Sequence, residues 1–339
     1  MRSAQHSRTS APHRQMSMVR GFDGETATDR RTVTERQHDV IVVGGGAAGV
    51  SAALECTDIK LDVVLLEAQA ALGGQLVEIT HPVRNVATGQ YASGPALQAG
   101  LQSVAELLGD RVRLQHPVTA AGLAEGWVEA GGQRFSGKAV LIASGTSAEH
   151  LPAAPDGAFG GDVTYEIDSG PDRFKGKPVV VIGGGDSATL DALELASSAS
   201  SVLLAHRSPH LTARHDIVAR LRAESRIEDL PGWQVESVSG HEHLEEVTLV
   251  DPASGERRNV PAGGLVIKIS RDPATQPFAG QLNLDHRGFV VTERDLSTSC
   301  PGVFAAGDVV SGAYWRVSSA LGQGSLASRT ILTYVQAHE

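Results

Sequence analysis

Glycines spaced to let a backbone close on a phosphate occur twice in this chain. Gly44-Gly45-Gly46-Ala47-Ala48-Gly49 follows the apolar run Val40 to Val43, and Gly183-Gly184-Gly185-Asp186-Ser187-Ala188 follows Val179 to Ile182. In each run the first glycine, Gly44 or Gly183, permits a tight turn, and the next, Gly46 or Gly185, lets the main chain approach a pyrophosphate. The third position, Gly49 or Ala188, must be small for the helix to close on the strand. Backbone N–H groups at the helix start then face the phosphates, where the helix dipole favours negative charge. Glu67 stands 21 residues after Gly46, where a carboxylate accepts hydrogen bonds from ribose hydroxyls and repels a 2′-phosphate. FAD or NAD is the expectation there. His206 stands 21 residues after Gly185, with Arg207 next, and a basic pair at that place suits a 2′-phosphate. Either run alone is compatible with a simple tight turn; the duplication, each with a second apolar run at matching distance, marks a dinucleotide signature.

These residues need strand, turn, helix and strand to position them, and the sequence supplies that order twice. The first unit ends in Val63 to Leu66, the second in Val202 to Ala205. A long internal repeat in 339 residues implies an α/β fold of about two domains. With 29 Lys and Arg against 39 Asp and Glu, the net charge of −10 argues against a nucleic-acid partner, which is gripped by a basic face. No apolar run reaches the roughly 18 residues of a membrane span. The two cysteines, Cys56 and Cys300, are isolated, so no metal-ligand spacing is present; a disulfide scaffold, a zinc ribbon and a redox-active dithiol within the chain are excluded. Residues 1–36 carry seven Arg, four acids and all three Met; they are expected to form a disordered extension, with a transit peptide or a later start site as alternatives.

From about residue 38 to 336 the chain resembles the two-dinucleotide flavoproteins, and among them the low-molecular-weight thioredoxin reductases. The resemblance rests on both glycine runs, on Gly73-Gly74-Gln75-Leu76, on Ala143-Ser144-Gly145-Thr146, and on Gly302-Val303-Phe304-Ala305-Ala306-Gly307-Asp308-Val309. It implies two nested Rossmann-like dinucleotide-binding domains, three-layered with parallel sheets. Residues 37–150 plus 272–339 would bind FAD, and residues 151–271 would bind NADPH or NADH. It further implies flavin contacts from Gly74, Gln75, Asn85, Val118, Ala143, Gly145, Gly307 and Arg316. Asp308 would bond the ribityl chain, and Ser319-Ala320 would begin a helix facing the flavin pyrimidine. A cytoplasmic homodimer is also implied.

Three departures from that family matter for function. Its Cys-x-x-Cys falls here on Glu166 and Ser169, and neither can exchange disulfides, a reaction that needs a thiolate. Glu166 and Asp168 therefore become candidate proton-transfer groups beside the flavin, the alternative being a loop that drifted to polar residues. The phosphate-binding cations thin to His206 and Arg207, with Ser208 and Thr212 at the other places; Arg214 is a candidate substitute. Trp315-Arg316 stands where the reductases commonly have Arg-Gln, and the indole either stacks on the flavin or fills a gap between domains. His241, Glu242, His243, Glu245 and Glu246 suggest a metal cluster or, more simply, a solvated turn. No partner is identifiable for His81, His210 or His215, and no metal site is expected.

The expected function is an FAD-dependent oxidoreductase that accepts hydride from NADPH or NADH. Its electrons then leave directly to a small-molecule substrate or a ferredoxin-like electron carrier. An oxidase or dehydrogenase of a small metabolite with a vestigial nucleotide site is the alternative, and a flavin-binding redox sensor is a reading of another class.

Overall fold

The computed structural model describes residues 37–167 and 170–338; the expected extension of residues 1–36, and Asp168 and Ser169, lie outside the described residues. Strand Gln37–Val43 runs parallel to Val63–Leu66 on one side, with Val40 opposite Val63, and to Gln133–Ile142 on the other, with Val43 opposite Ile142. Around this pair the larger sheet is ordered Val112–Arg113, Val63–Leu66, Gln37–Val43, Gln133–Ile142, Trp127–Ala130 and Val118–Gly122, and Val303–Ala305 also pairs with Gln133–Ile142. Val40, Ile41 and Val42 are all fully buried, a continuous run rather than an alternation, because a central parallel strand is covered on both faces.

Val40 and Val42 face helices Ala47–Asp58 and Val317–Ala337, through Val50, Cys56, Ala327 and Ile331, while Ile41 and Val43 face Phe278, Val290 and Val309. The two helices touch backbone to backbone: a Cβ on Gly324 would come within 2.2 Å of the Ala48 carbonyl oxygen, and Ser328 Oγ donates to the Ala52 carbonyl at 3.1 Å.

A second sheet, ordered Val163–Thr164, Gly264–Ile267, Pro178–Ile182, Ser201–His206 and Ile227–Pro231, is parallel throughout. Helix Asp186–Leu195 covers one face against Val179, Val181 and Leu204. The antiparallel meander Gln234–Gly240, Leu244–Val250, Arg257–Pro261 covers the other, through Leu244, Val247 and Leu249. The fold is therefore α/β with two Rossmann-like layered sheets, as the repeat predicts. The chain crosses between the sheets at Thr146–Ala148 and at Arg271–Pro273, and these two crossings pair antiparallel. The stretch His241 to His243 is the exposed turn of the meander, and His243 Nδ1 lies 3.0 Å from Asp162 Oδ2, which supports the solvated-turn alternative.

Candidate active site

Both glycine turns are fixed by close approach of main chain. Gly44 has φ +105°, and a Cβ there would sit 2.4 Å from the Ala143 carbonyl oxygen; a Cβ on Gly49 would sit 1.9 Å from that of Gly44. Gly46, by contrast, has nothing within 4 Å of its Cβ direction, leaving room for a phosphate. Glu67 is 5% exposed. Its Oε2 accepts from the Gly45 N–H at 2.6 Å and its Oε1 from the Gln69 N–H at 2.7 Å, so each oxygen keeps a lone pair for a ribose hydroxyl.

A cavity of about 1450 Å³ runs past this turn, larger than a single small-molecule pocket of about 300–1,000 Å³. Gly44, Gly46, Glu67, Gly74, Gln75, Asn85, Ala143, Gly145, Gly307, Asp308, Arg316 and Ala320 line it, as do Asp186 and Ser187 of the second turn and Glu166. Asp308 is set well back from solvent, and burial raises its pKa against the opposing pull of Arg271. Its hydrogen bond is a long one, 3.5 Å from Gln75 Nε2. An acidic acceptor this weakly satisfied fits a hydroxyl-bearing chain such as ribityl. The last helix starts at Val317 with Arg316 as N-cap, two residues earlier than expected, so Ala320 reaches the cavity while Ser319 is outside its lining.

The second turn repeats the first in backbone and departs from it in side chains. Gly183 has φ +136°, and a Cβ would meet the Lys268 carbonyl oxygen at 2.0 Å. Asp186 Oδ1 accepts from the Arg214 N–H at 2.8 Å, and its Oδ2 lies 3.6 Å from Arg316 Nη2. Gly185, like Gly46, has nothing within 4 Å of its Cβ direction, while Ala188 is fully buried under the turn. His206 corrects the expectation of a phosphate-binding pair: it is 2% exposed and its Nε2 lies 2.9 Å from Asp229 Oδ1, because its strand end is covered by the neighbouring strand. Arg207 is exposed at that end. Arg214 lines the cavity, and its Nε and Nη2 bond the exposed Asp216 at 3.1 and 3.0 Å. Val118 begins the edge strand Val118–Gly122 and packs against the Ile41 and Val43 face, two residues after His116, whose N–H donates to the carbonyl of cavity-lining Glu67 at 2.8 Å.

Residues 38–324 match the model of the pyridine nucleotide-disulphide oxidoreductase family. This chain belongs to that family. A thioredoxin reductase of Mycolicibacterium smegmatis is 31% identical over 307 residues, covering 88% of this chain and 96% of the relative. Among solved structures, the thioredoxin reductase of Lactococcus lactis in its FR conformation is similar with TM-score 0.81 and 26% identity, over 89% of this chain and all of that one. The thioredoxin reductase of T. acidophilum follows at TM-score 0.79 and 27% identity, covering 90% of this chain and all of that one. The oxidoreductase is a flavoprotein whose cofactors are FAD and a nicotinamide dinucleotide, and the cradle at Gly46, the free lone pairs of Glu67 and the underused Asp308 fit the flavin.

The oxidoreductase also gathers charged groups that its sequence did not announce. Lys268 directly follows the apolar strand Gly264–Ile267; its Nζ lies 2.5 Å from Glu166 Oε2 and 3.7 Å from Asp191 Oδ2. Burial is the main cause of a raised Glu166 pKa and pushes Asp191 up to about 7, with Lys268 opposing in both cases. Arg271 binds Glu78 with contacts of 2.7 and 3.2 Å. A lysine ending an apolar strand was the one readable signal; the convergence of His81, Asp191 and Glu194 on one another had none. Trp315 lines the cavity, with its ring centroid 5.9 Å from that of Phe289 at 34°. Among the described residues there is no helix long and apolar enough to cross a membrane.

Proposed function

We propose that this flavoprotein takes electrons from a nicotinamide dinucleotide and delivers them to a small-molecule substrate or a ferredoxin-like carrier without a disulfide of its own. The observation that carries the reading is Glu166, which stands at a cysteine position of the resemblance and is held by Lys268. Both cysteines support it, since Cys56 and Cys300 are buried, and burial raises both thiol pKa values, that of Cys56 to about 11, against thiolate chemistry. The relatives' names are those of thioredoxin reductases; a direct electron exit separates this chain from them.

Residues 37–150 plus 272–339 would hold FAD, and residues 151–271 the nicotinamide dinucleotide. Gly44, Gly46 and Gly49 would cradle the FAD pyrophosphate, Glu67 would accept from the ribose, and Asp308 with Gln75 would hold the ribityl chain. Gly183, Gly185 and the N–H groups of Asp186 to Ala188 would face the nicotinamide dinucleotide, with Arg207 as its phosphate cation. The bound flavin supplies the ability to accept a hydride and release electrons one or two at a time. Glu166, with its raised pKa, would exchange a proton with substrate beside the cavity, and Lys268 would keep it oriented. Asp168 shares that assignment by sequence alone. A homodimer is part of the same proposal.

The second reading, an oxidase of a small metabolite with a vestigial nucleotide site, is favoured by the burial of His206 and its pairing with Asp229. Anaerobic mixing of the purified yellow protein with NADH and with NADPH tests the two. Rapid bleaching of the flavin by either nucleotide supports the reductase. No bleaching, with reduction by a metabolite and reoxidation by dioxygen, would replace it with the oxidase. Replacing Glu166 by Gln is expected to slow one half-reaction by about a hundredfold; unchanged rates in both would remove it from the chemistry.

A further inference from the structure

Asp191 and Glu194 lie three residues apart on helix Asp186–Leu195 and so share one face. That face meets the loop before strand Val83–Val86, where Thr80 Oγ1 lies 3.4 Å from Glu194 Oε2. One ligating atom from each of His81, Asp191 and Glu194 lies within 4.8 Å of the others. Asp191 is 4% exposed, and its buried Oδ2 has no hydrogen-bond partner. The nearest ammonium, Lys268 Nζ, is 3.7 Å from that oxygen because it is drawn to Glu166 at 2.5 Å. A buried carboxylate oxygen without a donor is costly, and only a proton or a cation relieves it.

We propose that His81, Asp191 and Glu194 form a site for one divalent d-block cation, with zinc the best match. The donor set decides the class: an imidazole nitrogen disfavours magnesium and calcium, and two carboxylates without thiolate disfavour copper(I). Three protein ligands leave a fourth position open for water. Tetrahedral donors at zinc stand roughly 3.3–3.6 Å apart, given bonds of about 2.0–2.2 Å, so the side chains close by about an ångström on binding. Charge agrees. Three carboxyl groups, Glu166, Asp191 and Glu194, share the single ammonium of Lys268 here, a surplus of acids that a divalent cation would offset. Bound metal would tie the His81 loop to helix Asp186–Leu195.

Binding of the cation does not depend on the electron acceptor, so this proposal stands or falls apart from the preceding one. The test uses the full FAD-loaded chain, stripped by a chelating resin and titrated with zinc chloride by calorimetry. Retained zinc is counted by elemental mass spectrometry after dialysis. One zinc per chain at micromolar affinity or better is expected, with affinity at least tenfold weaker in both His81→Ala and Asp191→Asn. A rise in Tm on adding zinc should vanish in both variants, since a ligand that binds only the native state stabilises it, and magnesium should give no such rise. Zinc bound equally well by both variants would move the metal elsewhere and overturn the proposal. Absence of stoichiometric zinc in the wild type would also overturn it, leaving a proton to satisfy Asp191. If Asp191→Asn fails to fold, Glu194→Gln on the less buried ligand carries the same comparison with His81→Ala.

Discussion

The two glycine turns share a backbone and differ in what surrounds it. In both, the first glycine is forced by a carbonyl of the adjacent strand end, Ala143 against Gly44 and Lys268 against Gly183, at 2.4 and 2.0 Å from a hypothetical Cβ. Beyond that point they part. Gly49 touches the Gly44 carbonyl so closely that no side chain fits, whereas the matching position of the second turn carries the Ala188 methyl. Glu67 bends back to bond its own turn and still faces the cavity; His206, its counterpart, also packs against its own turn, with its Cβ 3.2 Å from a Cβ placed on Gly184, but gives Nε2 to Asp229. The motif therefore specifies a backbone shape, while the residue at the end of the second strand decides which dinucleotide that shape will keep.

The largest expected effect tests the tighter turn. Gly49→Ala should abolish flavin retention, because overpacking against main chain costs about 1–3 kcal/mol or more and the carbonyl of Gly44 has nowhere to go. Ala188→Gly should cost only about 1 kcal/mol of helix propensity and leave flavin content intact. Absorbance at the flavin band after gel filtration reads both; equal loss in the two variants would dissolve the contrast. Next in size, Asp308→Ala should weaken FAD binding about 10- to 150-fold, equivalent to about 1.5–3 kcal/mol for a hydrogen bond to a charged group. Unchanged retention would remove Asp308 from the flavin set.

The nucleotide side predicts a smaller contrast. With His206 buried against Asp229 and with Ser208 and Thr212 uncharged, Arg207 would be the main cation to recognise a 2′-phosphate. The preference for NADPH over NADH in stopped-flow reduction should stay below about a thousandfold, or about 4 kcal/mol, and Arg207→Ala should bring the two nucleotides close to equal. A larger preference that survives this substitution would mean that another cation serves the site.

The smallest effect concerns Asp308 without its cofactor. Its pKa is raised above the ordinary 3.8 by burial, so above pH 3.8 the native state holds its proton longer than the unfolded chain does. Stability of the FAD-free protein from this group should therefore fall as pH rises through that window. Asp308→Asn should raise the Tm of the FAD-free protein at pH 7 by a few degrees and lose that advantage in acid. A lower Tm for the variant at both pH values would show the carboxylate to be satisfied.

Much of the fold was legible because the strands at both turns are continuous β-branched runs followed by glycine, and nothing else in the chain competes for that pattern. The places of Glu67 and Asp308 were legible because each closely follows an apolar strand, whereas the ribityl role of Asp308 came with the resemblance. His206 was misjudged because its offset is right and only its neighbour, Asp229 on a strand 23 residues later, redirects it. Val118 was assigned by likeness to a family position alone, since nothing in the edge strand Val118–Gly122 itself signals a cofactor. Lys268, Asp191 and His81 come from three distant segments, and no local period links them. Long-range charge pairing is a property of the folded chain, and it leaves no spacing to read.

The pairing of Ala148 with Arg271 gives the chain an unusual economy of connection. It departs from the larger sheet and comes back at neighbouring points, so everything between is topologically an insert whose ends already touch. Deleting residues 149–270 and closing the gap with a two-residue turn, the length that antiparallel neighbours accept, would leave the strands of the larger sheet uncut. Such an excised miniature would keep Gly44, Glu67 and Asp308 in one continuous scaffold, a route to a stand-alone flavin carrier that needs no circular permutation.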